Sequence, residues 1–513
     1  MPRRTWLLAH AVLRVLAGAV AIVLAATYPR RLSTPTGFCL VTGHDDGPKG
    51  AFERPEHVVV TLADGLGADD ARFTWAVRWF RAQGRCFVTQ VGSPSISRPL
   101  YTVISSGVEQ DRTGIRGNDE TRPAAVGSVW QNARESGWHV RLVSELPWWQ
   151  ELFPRGFDET VYPPGATDFF GEVRPGALNL VHVLYIDHAG HHEGAGSREY
   201  VAAVRRLDRE LAGLIARTDL ATSLLVLTAD HGHSLIGGHG GSARRVANVM
   251  TCFAGKNVQP DNALGALRAP AIGPAIALLT GVPFPPQMRA VDDDLDTVLS
   301  IARADASTRD YLADRRQTVE KFRAQNRAWL AQATGSVGSW DELYHQRRVS
   351  QRWRGVVALA LLAAILALTS KRLYLLWGLA TVATTVGAFW VLRGSLDLTA
   401  MNARSDFIAL TTLICLALGS LSSVLFAWMR GNADDALRVQ TPGVVALLGV
   451  TLAHIVVYGL DVGFPLPPPT LLFFPYFSTV ALVAQSALGL ATGVVIVVGE
   501  RRARGRSART SSP

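Results

Sequence analysis

SLLVLTADHGHSLIGGHGG, residues 223–241, starts as a continuous apolar run and breaks at an Asp-His pair followed by glycines. Such a run suits a strand buried on both faces, as in the middle of a parallel sheet. Two other runs end in the same way, HVVVTLAD (57–64) and NLVHVLYID (179–187). Helical patterns lie between them. In REYVAAVRRLDRELAGLIART (198–218), Val201, Val204, Leu207, Leu211, Leu214 and Ile215 share one face. Strands alternating with helices predict an α/β domain around a mostly parallel sheet with helices on both faces. Ligands of such sheets bind beyond the carboxyl ends of the strands, where Asp64, Asp187 and Asp230 fall. One strand-end aspartate is readily a helix N-cap. Three of them, two with histidines close by, are harder to read that way.

The residues around these aspartates are metal ligands by type. Asp187 and His191 form DxxxH, which brings a carboxylate and an imidazole together in a turn. Asp230 and His231 are adjacent, and His239 sits in GGHGG, whose glycines allow close approach. Oxygen and imidazole donors together suit zinc first and manganese second. His188, His192 and His233 are neighbours that read as lying outside the ligand set. SPSISRPLYTVISSG (93–107) reads as a loop entering a helix, with Ser97 just ahead of Pro99 in the first turn. A hydroxyl there lies beside free backbone N–H groups, a favourable place for a phosphate. Alone, Ser97 would be an ordinary N-cap; beside the other ligands it reads as a nucleophile, with Ser95 its competitor.

The 513 residues divide into a mixed part and an apolar part, so the average hydrophobic content of 48% describes neither. An apolar stretch, Leu7 to Tyr28, follows Pro2-Arg3-Arg4 and reads as a signal anchor, although Arg14 inside it favours a shorter, signal-like core. Five more runs follow: Gly355–Ser370, Leu373–Leu392, Phe407–Met429, Pro442–Leu460 and Thr470–Val498. The first is short against the roughly 20 residues that a spanning helix needs. With six spans, Arg3-Arg4, Lys371-Arg372, Arg430, Arg438 and the arginines of 501–509 share one side, and Arg393 and Arg404 the other. The positive-inside rule then puts the large domain outside the cytoplasm. The net charge of +9 is largely such flanking arginine; no basic patch interleaved with aromatics points to nucleic acid. His454 inside the run Pro442–Leu460 and Asp461 at its outer end are ionisable groups at membrane depth. Four cysteines without CxxC spacing argue against a thiolate zinc site; a Cys39–Cys86 disulfide is one available pairing. The expected organisation is a signal anchor (1–30), a catalytic domain (31–312), a linker helix region around DRRQTVEKFRAQNRAWLAQ (313–354), five spans (355–500) and a basic cytoplasmic tail (501–513).

The order ADG–SxSRP–DxxGHxxG–SREY–DHG–GGHGG, followed by IGPAIALLTGVPFPPQ (272–287), resembles the alkaline phosphatase superfamily. It is most similar to the glycosylphosphatidylinositol ethanolamine phosphate transferases and the type I phosphodiesterase/nucleotide pyrophosphatase group. The likeness covers roughly residues 55 to 290 and extends to the architecture of one N-terminal span, an external domain and a multi-span tail. It implies one divalent metal, most simply zinc, on Asp64, Ser97, Asp230 and His231, and a second on Asp187, His191 and His239. It also implies a phosphate-binding role for Asn118 in TGIRGN. The expected chemistry is in-line displacement between two metals about 4 Å apart. A phosphoethanolamine-type group would pass from a membrane lipid through a covalent Ser97 intermediate to a glycan or lipid-linked hydroxyl. Release of the group to water, as in a phosphodiesterase or phosphatase, uses the same residues. Tyr101 stands where a sulfatase pattern needs arginine, so that branch is set aside. A non-catalytic scaffold or transporter would not need the complete ligand set.

Overall fold

The computed structural model describes residues 3–32, 52–163, 168–285, 291–335, 340–369, 371–458 and 468–510. The chain forms two compact units, one of Met1–Leu32, Gln346–Gly463 and Thr470–Pro513, the other of Ser33–His345 with Phe464–Pro469.

The second unit is built on one eight-stranded sheet: β1 (His57–Ala63), β2 (Gly84–Gln90), β3 (Val140–Ser144), β4 (Glu159–Val161), β5 (Leu178–Val183), β6 (Ser223–Thr228), β7 (Asn248–Gly255) and β8 (Asp261–Arg268). Their order is β4-β3-β5-β1-β6-β7-β2-β8. Every neighbouring pair is parallel except the two made by β7, which runs antiparallel to β6 and to β2. The sheet is therefore mostly parallel, as the apolar runs predict. β5 and β6 are buried along their whole length and β1 along all but its first residue, so both faces of the sheet centre are covered. The helix Trp75–Gln83 packs on β2, β7 and β8. The helix Arg198–Ala216 is capped by the Ser197 side chain, which accepts from the Tyr200 N–H, and buries Val204, Leu207, Leu211, Leu214 and Ile215, with Val201 half-buried.

Two expectations need correction here. NLVHVLYID is not a strand to its end: β5 stops at Val183, and Tyr185–Glu193 is a helix that carries both Asp187 and His191. The spacing of four that suggested a turn places both side chains on one helix face. Cys86 does not pair with Cys39, which lies outside the described residues; it forms a disulfide with Cys252, its direct partner across β2 and β7.

The first unit is helical. Among the described residues, six helices are long and apolar enough to cross a membrane, within Arg3–Leu24, Glu342–Leu368, Arg372–Arg393, Arg404–Arg430, Asp434–Tyr458 and Thr470–Arg502. The tail's first run is not short, because its helix already begins at Trp340. Arg14 is no obstacle to a long N-terminal helix either. It is buried, its Nη1 donates to the Gln485 carbonyl at 2.8 Å, and its guanidinium lies where a side chain on Gly489 would be. His454 is buried in the helix Asp434–Tyr458, and Asp461 lies outside the described residues.

Candidate metal centre and active site

Three adjacent strands of the sheet, β5, β1 and β6, deliver the carboxylates. Asp64 follows β1 directly, Asp230 and His231 follow β6 by two and three residues, and Asp187 lies in the first turn of the helix after β5. Ser97 is the first residue of the helix Ser97–Ser106. Asp64, Asp230 and His231 have ligand atoms within 4.8 Å of one another, and all three are buried. His231 Nε2 lies 3.5 Å from Asp64 Oδ1, 3.3 Å from Asp230 Oδ2 and 3.1 Å from Ser97 Oγ. Asp187 Oδ1 lies 3.4 Å from His191 Nε2, and His191 Nε2 lies 3.2 Å from His239 Nε2. Asp187, His231 and His239 also form one such cluster. The residues read from the sequence as ligands thus converge on a single locus.

These donors fit a divalent ion. Zinc–nitrogen and zinc–oxygen bonds of about 2.0–2.2 Å in a tetrahedron put neighbouring ligand atoms roughly 3.3–3.6 Å apart, close to the separations found. Two buried carboxylate oxygens, Asp64 Oδ1 and Asp230 Oδ2, have no hydrogen-bond partner in the described structure. Both face His231 Nε2, at 3.5 and 3.3 Å. Unpaired buried oxygens are costly, and a cation is the partner that three converging carboxylates require.

The charges have been set by burial and by each other. Burial, and then the neighbouring Asp64 and Asp187 carboxylates, push the Asp230 carboxyl well above the usual carboxylate range. Burial also opposes the charge on Asp64, but the His182 hydrogen bond, the nearby His231 and the Tyr101 hydroxyl outweigh it and hold Asp64 below that range. Burial pushes the His231 imidazole down to about 4, so it is neutral at physiological pH and keeps a lone pair for a metal.

Sequence reasoning did not find the groups behind these ligands. Tyr101 lies one helical turn after Ser97, and its hydroxyl donates to Asp64 Oδ2. His182 Nε2 lies 3.2 Å from the same oxygen and 2.9 Å from the Tyr101 hydroxyl, while His182 Nδ1 faces Ser144 Oγ at 2.8 Å. The Tyr101 ring stacks on Trp149 at 4.5 Å. A lone imidazole inside the apolar run LVHV was the available signal. His233, set aside from sequence, is buried with Nε2 at 2.8 Å from Asp187 Oδ1. It belongs to a further cluster with Asp187 and His191. Gly65 and Gly190 make the room: a Cβ on Gly190 would come within 2.3 Å of the His233 ring, and one on Gly65 within 3.0 Å. His188 and His192 are exposed, as expected.

Ser95, the competing hydroxyl, is buried and already engaged. Its Oγ donates to the Gly241 carbonyl at 2.8 Å and accepts from the Gly240 N–H at 3.0 Å, and its carbonyl faces His239 Nδ1 at 2.8 Å. It fastens the loop carrying His239 to the loop before Ser97. Asn118 lies beside Ser97, its Oδ1 accepting the Arg98 N–H at 3.0 Å. Arg98 is drawn into an ion pair with Glu151 at 2.5 Å and lies over the Trp148 ring at 4.5 Å.

Residues 157–271 match the family described as type I phosphodiesterase / nucleotide pyrophosphatase. More particularly, the chain is similar to catalytic subunits of glycosylphosphatidylinositol ethanolamine phosphate transferases. It is 23% identical to the mouse transferase 3 catalytic subunit over 222 residues, which is 39% of this chain and 20% of that protein. It is 27% identical to transferase 2 of Schizosaccharomyces pombe over 298 residues, 45% of this chain and 37% of that protein. The chain therefore spans between a fifth and about a third of these relatives. Among solved structures, an alkaline phosphatase superfamily protein from Vibrio parahaemolyticus aligns over 52% of this chain and 76% of its own, with 14% identity and a TM-score of 0.38. The sequence likenesses agree with the resemblance drawn from the motif order.

Proposed function

We propose that this protein is a membrane-bound, two-metal phosphotransferase that moves a phosphoethanolamine-type group from a phospholipid to a hydroxyl acceptor. The observation that carries the reading is the Ser97 hydroxyl, held in the first turn of its helix at the edge of the Asp64–Asp230–His231 cluster. The motif order and the transferase relatives support the choice of group.

One metal would sit on Asp64, Ser97, Asp230 and His231, and the other on Asp187, His191 and His239. Zinc suits these donors best. When bound, the two ions would favour the ionised form of Ser97 and balance the charge of the phosphoryl oxygens. Ser97 Oγ attacks the donor phosphorus, forming the Oγ–P bond as the bond to the lipid oxygen breaks; the departing diacylglycerol takes up a proton. The acceptor hydroxyl then gives up its proton and attacks the same phosphorus, and Ser97 is released. Asn118, with Oδ1 committed to the Arg98 amide, keeps Nδ2 as a donor to an equatorial oxygen. Tyr101 and His182 hold Asp64 in place throughout.

The catalytic domain, over 31–312, is proposed to lie outside the cytoplasm, joined by 313–354 to the spans of 355–500. The distribution of flanking arginines supports this side. So does the Cys86–Cys252 disulfide, since such bonds persist in oxidising compartments.

The test is to incubate the purified, metal-loaded protein with phosphatidylethanolamine and to analyse the Ser97 peptide by mass spectrometry. A phosphoethanolamine adduct that disappears in Ser97→Ala is expected. Turnover of soluble diesters with no adduct from any phospholipid would instead favour the hydrolytic reading, to which the phosphodiesterase family match points. Asp230→Ala and His191→Ala should each reduce bound zinc; unchanged metal content in both defeats the ligand assignment.

A further inference from the structure

The membrane unit contains a cavity of about 130 Å³ that the chemistry above leaves unused. It lies among the helices Arg404–Arg430, Asp434–Tyr458 and Pro469–Thr510. Its floor is formed by Phe407, Thr451, His454 and Thr479, all of them buried. The two threonine hydroxyls are turned away to other partners. Thr451 Oγ1 bonds to the Leu447 carbonyl and to Ser478 Oγ, and Thr479 Oγ1 to the Pro475 carbonyl. The His454 ring packs against Tyr458 at 4.7 Å. The floor therefore offers mostly carbon.

The mouth differs in character. Arg404 and Ile408 lie one turn apart on the same helix and both are exposed. Arg404 is the first residue of that helix, so the positive end of the helix dipole adds to its guanidinium. A chamber of carbon with an arginine at its entrance suits an amphiphile whose head is anionic and whose tail is hydrocarbon. Free phosphate would leave the apolar chamber unfilled. Arginine is also the side chain whose planar fork matches phosphate oxygens. On the proposed topology, this end of the helix faces outside.

We propose that this cavity binds a glycerophospholipid, its phosphate on Arg404 and one acyl chain entering past Ile408 onto Phe407 and Thr479. The inference rests on the phospholipid-donor reading, and it gives that donor a binding site within the membrane unit.

The full-length protein, in phosphatidylcholine nanodiscs doped with phosphatidylethanolamine carrying a photoactivatable acyl chain, provides the test. Crosslinked peptides are expected to concentrate in 404–408, 451–455 and 475–480. Thr479→Trp, which fills the chamber, should abolish this labelling. Should that variant fail to fold, Ile408→Trp at the exposed mouth should lower it. Arg404→Gln should weaken phospholipid labelling about fivefold, the effect of one cation near a membrane surface, and leave labelling by a diacylglycerol probe unchanged. Labelling spread evenly over the lipid-facing spans and indifferent to these substitutions overturns the site. Ser97→Ala separates this from the chemistry, because it should label as the native protein does. Labelling in the cavity without a Ser97 adduct leaves the site standing and removes the donor role. An adduct without localised labelling does the reverse.

Discussion

Asp64 shows how a buried carboxylate can be left ready for a cation. Tyr101 and His182 occupy Oδ2, and His182 Nδ1 is anchored beside Ser144 Oγ at 2.8 Å. Oδ1 is left bare and turned to the cluster. Loss of a group that orients a metal ligand weakens binding by about 10- to 100-fold. Tyr101→Phe should do this while the ring keeps its stacking on Trp149. Zinc titration of the variant measures it, and an unchanged affinity would show that the hydroxyl does not orient Asp64. None of this was readable in advance. A tyrosine in an apolar helix and a histidine in an apolar strand look like core until the sheet brings them together. The convergence of these carboxylates and imidazoles was legible because such groups at strand ends have few bland explanations. The burial of His233 beside Asp187 was not legible, because only the tertiary structure reveals the space that two glycines leave for it.

At the level of elements, the site depends on how close the helix Tyr185–Glu193 comes to the loop after β6. Gly190 makes that approach possible, since a methyl group there would meet the His233 ring at 2.3 Å. Gly190→Ala touches no ligand. It should nonetheless lower metal occupancy and destabilise the catalytic unit by about 1–3 kcal/mol, the usual cost of overpacking a filled interior. Metal analysis together with a melting curve measures both; a variant with full occupancy and native stability shows that the contact yields freely. β1 and β6 were clear in the sequence because their apolar runs stop abruptly at an aspartate. The end of β5 was not, because Leu184, Tyr185 and Ile186 continue the apolar pattern into the helix, and periodicity alone cannot separate short buried strands from buried helices. The antiparallel placement of β7 and the disulfide it makes with β2 depend on long-range pairing, to which local pattern is blind.

At the scale of the whole molecule, each unit has its own source of cohesion. In the membrane unit the N-terminal helix is bound to its neighbours along its length. Arg3 pairs with Asp434 at 2.6 Å, Trp6 lies under Arg438, Arg14 meets Gln485, and Ala17 and Ala21 are buried. A helix so embedded is expected to stay in the mature protein. Intact-mass measurement should find it there, and a mature chain beginning after residue 28 would contradict the packing. In the catalytic unit, three carboxylates crowd one buried locus. Stripping bound metal should therefore lower the melting temperature by about 5 °C or more, with recovery on adding zinc; an identical melt with and without chelator would mean that no ion contributes to the fold. The carboxylates also come from strands that are neighbours in space yet far apart along the chain, with more than 150 residues between Asp64 and Asp230. During synthesis, then, no early segment carries a complete set of donors. Capture of metal by this set would have to wait until β6 has joined β1, a slow, non-local event. Any ions the protein holds would thus be drawn from whatever supply exists where the sheet closes.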